Sequence, residues 1–183
     1  MPRLFTGLEI PEAVTQQLAL FRGGLPGARW VDPTDLHITL RFLGDIDTDT
    51  ANEVHALLEE ARPRAPLAID LDGLAIFGGT KPRAVYAAVA ANAELADLQA
   101  EHERIARHAG LEPEPRKFTP HVTLARLNRS TGAEAVAHYL SQTGGFSRIG
   151  FIASRVALFS ARASRGGGPY VVETAYPFVL GAG

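Results

Sequence analysis

Cysteine is absent from all 183 residues, so disulfides, thiolate metal sites and cysteine nucleophiles are excluded. Long apolar runs are absent as well. The longest, residues 84–91, falls far short of the ~20 residues that a membrane-spanning helix needs. The opening Met1-Pro2-Arg3-Leu4-Phe5 carries no apolar stretch of the kind that directs secretion. Lysine is scarce, with 2 against 16 arginines. These absences lead to the expectation of a soluble cytoplasmic protein with no membrane contact, whose chemistry rests on side chains other than thiols.

The rest of the composition is ordinary: 46% of residues are hydrophobic and 21% charged, as in a typical globular chain. That length suits a single domain over 1–183. It divides into lobes of about 1–80 and 81–183, with the closing strands free to cross between them. The net charge of −2 hides an asymmetry. Residues 115–172 hold eight basic side chains and one acidic; residues 1–114 hold ten basic and eighteen acidic. A basic C-terminal half suits a polyanion such as RNA or a phosphate ester. The preference for arginine fits GC-rich codon usage and solvated surface charge equally well.

The informative feature is a repeated tetrapeptide. His37-Ile38-Thr39-Leu40 and His121-Val122-Thr123-Leu124 lie 84 residues apart, one in each half. Template counting gives roughly 0.1 copies of His-apolar-Thr-apolar in a shuffled chain of this composition. Two copies, both in strand-like runs, are therefore not a chance arrangement. On a β-strand, positions i and i+2 share a face, so each segment presents an imidazole beside a hydroxyl. Ile38, Leu40, Val122 and Leu124 then point the other way, into a core.

Around the motifs the chain alternates strand and helix. Residues 4–10 read as a strand and 11–21 as a helix opened by Pro11 and stopped by Gly23-Gly24. The first motif strand spans 35–43, a helix comes next over 47–61, and 67–77 alternates as a strand. The second half repeats that order with a strand at 84–90, a helix at 94–109, the second motif strand and a helix at 133–140. Strands at 146–152, 156–160 and 170–178 close the chain, with Gly166-Gly167-Gly168 as a turn. The shared element order predicts a degenerate duplication, two lobes about a pseudo-twofold axis with the motifs facing each other.

Two histidines across one cleft suit general acid–base catalysis. With an unperturbed pKa near 6.5, one imidazole can take a proton from water while its charged partner protonates a leaving oxygen. Threonine hydroxyls can donate to phosphoryl oxygens where negative charge builds up. No metal cage or cofactor fingerprint is apparent, and none is needed. A strained phosphodiester such as a terminal 2′,3′-cyclic phosphate is a fitting substrate, because its ring supplies both strain and leaving group. The other histidines, His55, His102, His108 and His138, fall on expected helices and are read as surface or structural; Trp30 is read as packing.

These residues resemble the 2H phosphoesterases, named for two His-x-Thr/Ser-x motifs, and most closely the RNA 2′,3′-cyclic phosphodiesterases formerly called 2′-5′ RNA ligases. The resemblance runs through Leu4-Phe5-Thr6-Gly7-Leu8-Glu9-Ile10-Pro11 and Arg29-Trp30-Val31 to Leu36-His37-Ile38-Thr39-Leu40-Arg41-Phe42-Leu43-Gly44. It continues through Pro82-Arg83-Ala84-Val85-Tyr86 and Phe118-Thr119-Pro120-His121-Val122-Thr123-Leu124-Ala125-Arg126. Leu158-Phe159-Ser160 and Gly168-Pro169-Tyr170 complete it. It implies an α+β, bilobal pseudo-twofold fold, with two antiparallel sheets facing a central cleft and helices outside.

It further implies His37 as the acid that protonates the departing O3′, His121 as the base on water, and a 2′-phosphate product. Thr39 and Thr123 would hold phosphoryl oxygens, and Phe42 would stack on the terminal base, a role that plain core packing rivals. Arg126 would contact phosphate. Simple alternation sets Arg126 on the face opposite His121, so that role requires a bulge or a strand end. Arg41, which shares parity with His37, is its rival. The family's pattern has bulkier apolar and Trp residues where Ala84 and Tyr86 stand, which leaves base preference open. The implied partner is RNA with a 2′,3′-cyclic phosphate end, tRNA halves among them, and a monomer is expected because duplication already supplies the twofold site. Two alternatives stand beside this. One is a phosphodiesterase or reversible ligase on 2′-5′ linked RNA or small cyclic nucleotides; the other is a non-catalytic RNA-end binder.

Overall fold

A computed structural model describes residues 3–143, 145–161 and 168–179. Arg162, Arg165 and the first two glycines of the Gly166-Gly167-Gly168 turn lie outside the described residues. The elements run β1 (Arg3–Glu9), α1 (Glu12–Ala19), β2 (Ala28–Trp30), a 3₁₀ turn (Pro33–Asp35), β3 (His37–Asp45), α2 (Thr48–Glu59) and β4 (Leu67–Phe77). Next come β5 (Ala84–Val89), α3 (Ala93–His108), β6 (His121–Leu127), α4 (Ala133–Gln142), β7 (Ile149–Ala153), β8 (Arg155–Ala161) and β9 (Tyr170–Pro177).

Local chemistry explains where these elements begin. The Asp47 carboxylate accepts the Thr50 N–H at 2.7 Å and starts α2, and the Asn92 side-chain oxygen accepts from Leu95 N–H at 2.9 Å and starts α3. The first motif strand begins at His37 rather than at 35. Pro33 and an Asp32 side chain bonded to Thr34 N–H (2.9 Å) wind residues 33–35 into the 3₁₀ turn first. β7 likewise begins at Ile149, not at 146. β2, only three residues long, has too little alternation to announce itself in sequence.

The α+β class is as expected. Every strand pairing among the described residues is antiparallel, in the order β7-β4-β5-β6-β3-β1-β8-β9, with β2 added beside β6. The sheet falls into two halves. One holds β1, β3, β8 and β9, the other β2 and β4 to β7, and the pair Ile38–Val122 joins them. The halves of the sheet are thus not the halves of the chain. β4 hydrogen-bonds to β5 and β7, and β8 returns to pair with β1, with β9 outside it.

All four helices pack on one face. Val14 and Leu18 of α1 and Leu95 and Leu98 of α3 meet Ile38, Leu40, Val122 and Leu124 in a core that spans both halves. Ile38 and Val122 are fully buried there. At about 1.5–3 kcal/mol for each buried aliphatic side chain, this layer holds the halves together far more than one rung of hydrogen bonds does. Val54 of α2 and Val136 of α4 extend it at either side. The opposite face of the sheet carries the motif polar groups.

Both motif strands break their alternation at the same place. Opposite β1, Gly7 pairs with Thr39 and Thr6 with Arg41, so Leu40 is skipped. Opposite β5, Tyr86 pairs with Thr123 and Val85 with Ala125, so Leu124 is skipped. Each is a bulge, and each inverts the parity of the residues beyond it. Leu40 and Arg41 are both buried and Phe42 is exposed; Leu124 and Ala125 are both buried and Arg126 is exposed.

Candidate active site

The pair at Ile38 and Val122 organises the site. In its antiparallel register His37 is next across from Thr123 and His121 next across from Thr39, all on the face opposite the core. The two histidines are held alike. His37 Nδ1 lies 2.8 Å from the Asp35 carbonyl, and His121 Nδ1 lies 2.6 Å from the Thr119 carbonyl, each two residues upstream. A carbonyl only accepts, so Nδ1 carries the hydrogen and Nε2 is left as the working nitrogen. His37 Nε2 sits 3.0 Å from Thr39 Oγ1.

Aromatic rings wall both imidazoles. Phe5 and Phe159 lie tilted against His37, at 4.8 and 5.7 Å between centroids, and Tyr170 meets it edge-on at 4.9 Å. Phe77 and Tyr86, stacked at 4.1 Å, meet His121 edge-on at 4.8 and 5.4 Å. Loss of water contact pushes the His37 pKa down to about 4, with the charges of His121 and Arg126 adding to the effect. Desolvation followed by Arg126 also lowers His121, against a raising effect from the Thr119 carbonyl. Both rings are therefore neutral in the free protein near neutrality.

Thr123 is half-buried on the same face. Phe42, 44% exposed, and Arg126 are carried to that face by the two bulges, at the same position relative to their histidines. The bulge required for Arg126 is thus present. The expectation for Arg41 is corrected. It is buried on the helical side, with Nε 2.5 Å from Glu103 Oε2 and Nη1 and Nη2 donating to the Phe42 and Glu112 carbonyls, both at 2.6 Å. The bulge at Leu40 reverses the parity on which its assignment to the cleft depended.

Sequence reasoning missed the ring walls and the two anchoring carbonyls. Phe5, Tyr86, Phe77, Phe159 and Tyr170 come from five different strands, and only the register of the sheet brings them beside the histidines. Of the remaining histidines, His102 is buried with Nδ1 2.7 Å from Thr6 Oγ1, and desolvation followed by the charge of Arg64 pushes it down to about 3. His55 bonds Tyr176 at 2.7 Å. A cavity of about 550 Å³ between α2, α3 and β9 is lined by no motif residue. Among the described residues no helix is long and apolar enough to cross a membrane.

Residues 11–165 match the model of the 2′-5′ RNA ligase superfamily. The chain belongs to that superfamily. Its relatives include a Bacillus subtilis protein named RNA 2′,3′-cyclic phosphodiesterase, 32% identical over 164 residues, which are 86% of this chain and 87% of the relative. An Aquifex aeolicus protein of the same name is 32% identical over 176 residues, 92% of this chain and 89% of the relative. Among solved structures, Escherichia coli LigT complexed with 3′-AMP superposes with a TM-score of 0.78 at 20% identity. That match covers 98% of this chain and all of the other. A Thermus thermophilus protein superposes at 0.76 with 22% identity, covering 96% and 97%. These likenesses are of fold, and they bear out the 2H phosphoesterase architecture.

Proposed function

We propose that this chain hydrolyses RNA 2′,3′-cyclic phosphate ends to 2′-phosphates by acid–base catalysis between His37 and His121, without a metal. The observation that carries this reading is the matched pair of imidazoles, each anchored through Nδ1 and each offering Nε2 to one face. The superfamily and the relatives' shared name support the substrate class.

His121 Nε2 takes a proton from water as its oxygen attacks phosphorus. The bond from phosphorus to O3′ breaks, and O3′ takes the proton from His37 Nε2–H. The 2′-oxygen keeps the phosphate. Thr39 and Thr123 donate to the non-bridging oxygens, and Arg126 balances their charge. The polarity comes from the unlike halves. Phe42, on the His37 strand, offers a stacking face for the terminal base and so draws the ribose and its leaving oxygen to His37. Water then enters from the half that carries Arg126. A His37 pKa of about 4 means the proton arrives with substrate, because an anionic phosphodiester beside the ring favours the imidazolium. One chain supplies both motifs, so a monomer suffices.

The test is incubation in EDTA with a short oligoribonucleotide ending in a 2′,3′-cyclic phosphate, followed by mass spectrometry and end-group analysis. Gain of one water giving a 2′-phosphate, lost in His37→Ala and in His121→Ala, is the expected result. An unchanged end overturns the reading. A second reading, action on 2′-5′ linked RNA, is favoured by the stacked Phe77 and Tyr86, which offer the His121 half an aromatic surface for a second nucleoside.

A further inference from the structure

We infer that the Asp35 carboxylate is a positioning residue for the first histidine: it seats Tyr170 edge-on against His37 while the Asp35 carbonyl holds Nδ1 of the same ring. The inference rests on the reading of His37 as the proton donor.

The rings around His37 are not held equally. Phe5 and Phe159 are cross-strand partners inside the β1–β8 ladder, fixed by the sheet itself. Tyr170 is the first residue of β9, the edge strand, paired on one side only, with Ala161 of β8, and it lies 135 positions from Asp35 in sequence. Its backbone N–H donates to Asp35 Oδ1 at 3.1 Å. Gly168 closes on the same carboxylate, so closely that a Cβ there would overlap it. The third glycine of the turn therefore has a reason of its own, distinct from flexibility. Asp35 is in turn fixed by the 3₁₀ turn, through its N–H on the Asp32 carbonyl at 2.8 Å. One residue thus grips the imidazole from the Nδ1 edge and supplies the seat of the ring that closes its side.

Among the described residues the second motif has no such clasp. Thr119 supplies only the carbonyl, and the rings beside His121, Phe77 and Tyr86, belong to the β4–β5 ladder. In the first half, by contrast, a carboxylate from outside the ladder holds the strand end that carries a wall ring.

The charged and titratable groups that bear on His37 are Asp35, His121 and Arg126, with the Tyr170 ring closing its side. Losing the carboxylate's charge alone therefore lowers the His37 pKa, whereas unseating Tyr170 admits water and raises it. Three variants separate these effects: Asp35→Asn, Asp35→Ala and Gly168→Ala. Titration of His37 and His121 by NMR is read beside kcat and KM on an oligoribonucleotide 2′,3′-cyclic phosphate.

Asp35→Ala and Gly168→Ala are expected to raise the His37 midpoint by about one pH unit and to lower kcat about tenfold, with KM within about twofold. Asp35→Asn keeps an acceptor for Tyr170 N–H; its His37 midpoint stays or falls, and at least half of kcat remains. The double variant Asp35→Ala/Gly168→Ala is expected to lose no more than either single one, since both break the same contact. The His121 midpoint stays in place throughout. An unmoved His37 midpoint in Asp35→Ala and Gly168→Ala, equal movement of both histidines, or losses that multiply in the double variant would overturn the assignment. If the wild-type protein turns over no cyclic phosphate, the hydrolytic reading fails, while the titrations still decide whether Asp35 holds His37.

Discussion

The two motif strands share the same histidine, the same threonine, the same upstream carbonyl and the same bulge, yet they end differently. Five residues after His37 the bulge delivers Phe42; five residues after His121 it delivers Arg126. Across the ladder, Gly7 stands opposite Thr39 and Tyr86 opposite Thr123. One half thus offers an aromatic face and close backbone approach, the other a guanidinium and a ring. On the proposed mechanism, the repeated strand would supply the paired proton-transfer groups, and divergence just past the bulge would tell the two ends of an asymmetric substrate apart.

The largest test of the shared part is removal of either imidazole. His37→Ala and His121→Ala should each lower kcat/KM by about 10³-fold, measured on the cyclic phosphate oligonucleotide. A difference between them beyond about 100-fold would break the equivalence of the halves. The next test addresses what differs. Arg126→Ala should lower kcat/KM about 100-fold and flatten its salt dependence, whereas Phe42→Ala should act mainly on KM, by about tenfold, with the salt slope intact. If both variants respond to salt alike, the division into base end and phosphate end is wrong.

pH sharpens the comparison further. Both histidines are depressed in the free protein, so the protonated acid is lost as pH rises through those lowered values. The kcat/KM profile, which reports the free protein, should therefore peak on the acid side of 6.5. The kcat profile should peak higher, because bound phosphate favours the imidazolium. Coincident optima would mean that substrate charge does not feed the His37 proton.

The smallest effect is on stability and comes from the helical side. His102 is buried neutral, pushed down to about 3. Glu103, despite desolvation that would raise it, is brought to about 2 by hydrogen bonds from Arg41, Arg107 and Glu114 N–H. Both folded values lie below the unfolded ones, so the unfolded chain takes up these protons first. The hydrogen bonds of Glu103 stabilise the fold at neutral pH, whereas neutral His102 costs stability only where acid would charge it. The His102 penalty grows as pH falls from about 6.5 towards 3, and the Glu103 stabilisation is lost as pH falls from about 4.5 towards 2. Thermal melts of His102→Gln should show a flatter Tm between pH 6 and about 4 than wild type, by a few degrees.

Much of this was legible in the sequence, for identifiable reasons. Helices α2 and α3 carry their own N-caps, and the motif strands carry apolar–polar alternation, so local chemistry defines them. The bulges were not legible, since nothing in Leu40-Arg41 or Leu124-Ala125 marks an extra residue. Only the register against β1 and β5 does. Hence Arg41 fell on the wrong face when counted by twos, and Arg126 reached the right one only by way of a bulge. Asp35 read as the opening residue of the first motif strand, with no role of its own, because its second partner lies 135 positions away.

The lone Ile38–Val122 rung has one more consequence. His37 and His121, which the proposed mechanism sets on opposite sides of one phosphorus, flank a single ladder pair between the two halves of the sheet. The aliphatic layer behind them sets their spacing. A methylene gained or lost at position 38 or 122 would therefore act as a tuning screw on the spacing of the two histidines, and on the proton relay proposed between them, from the far side of the sheet.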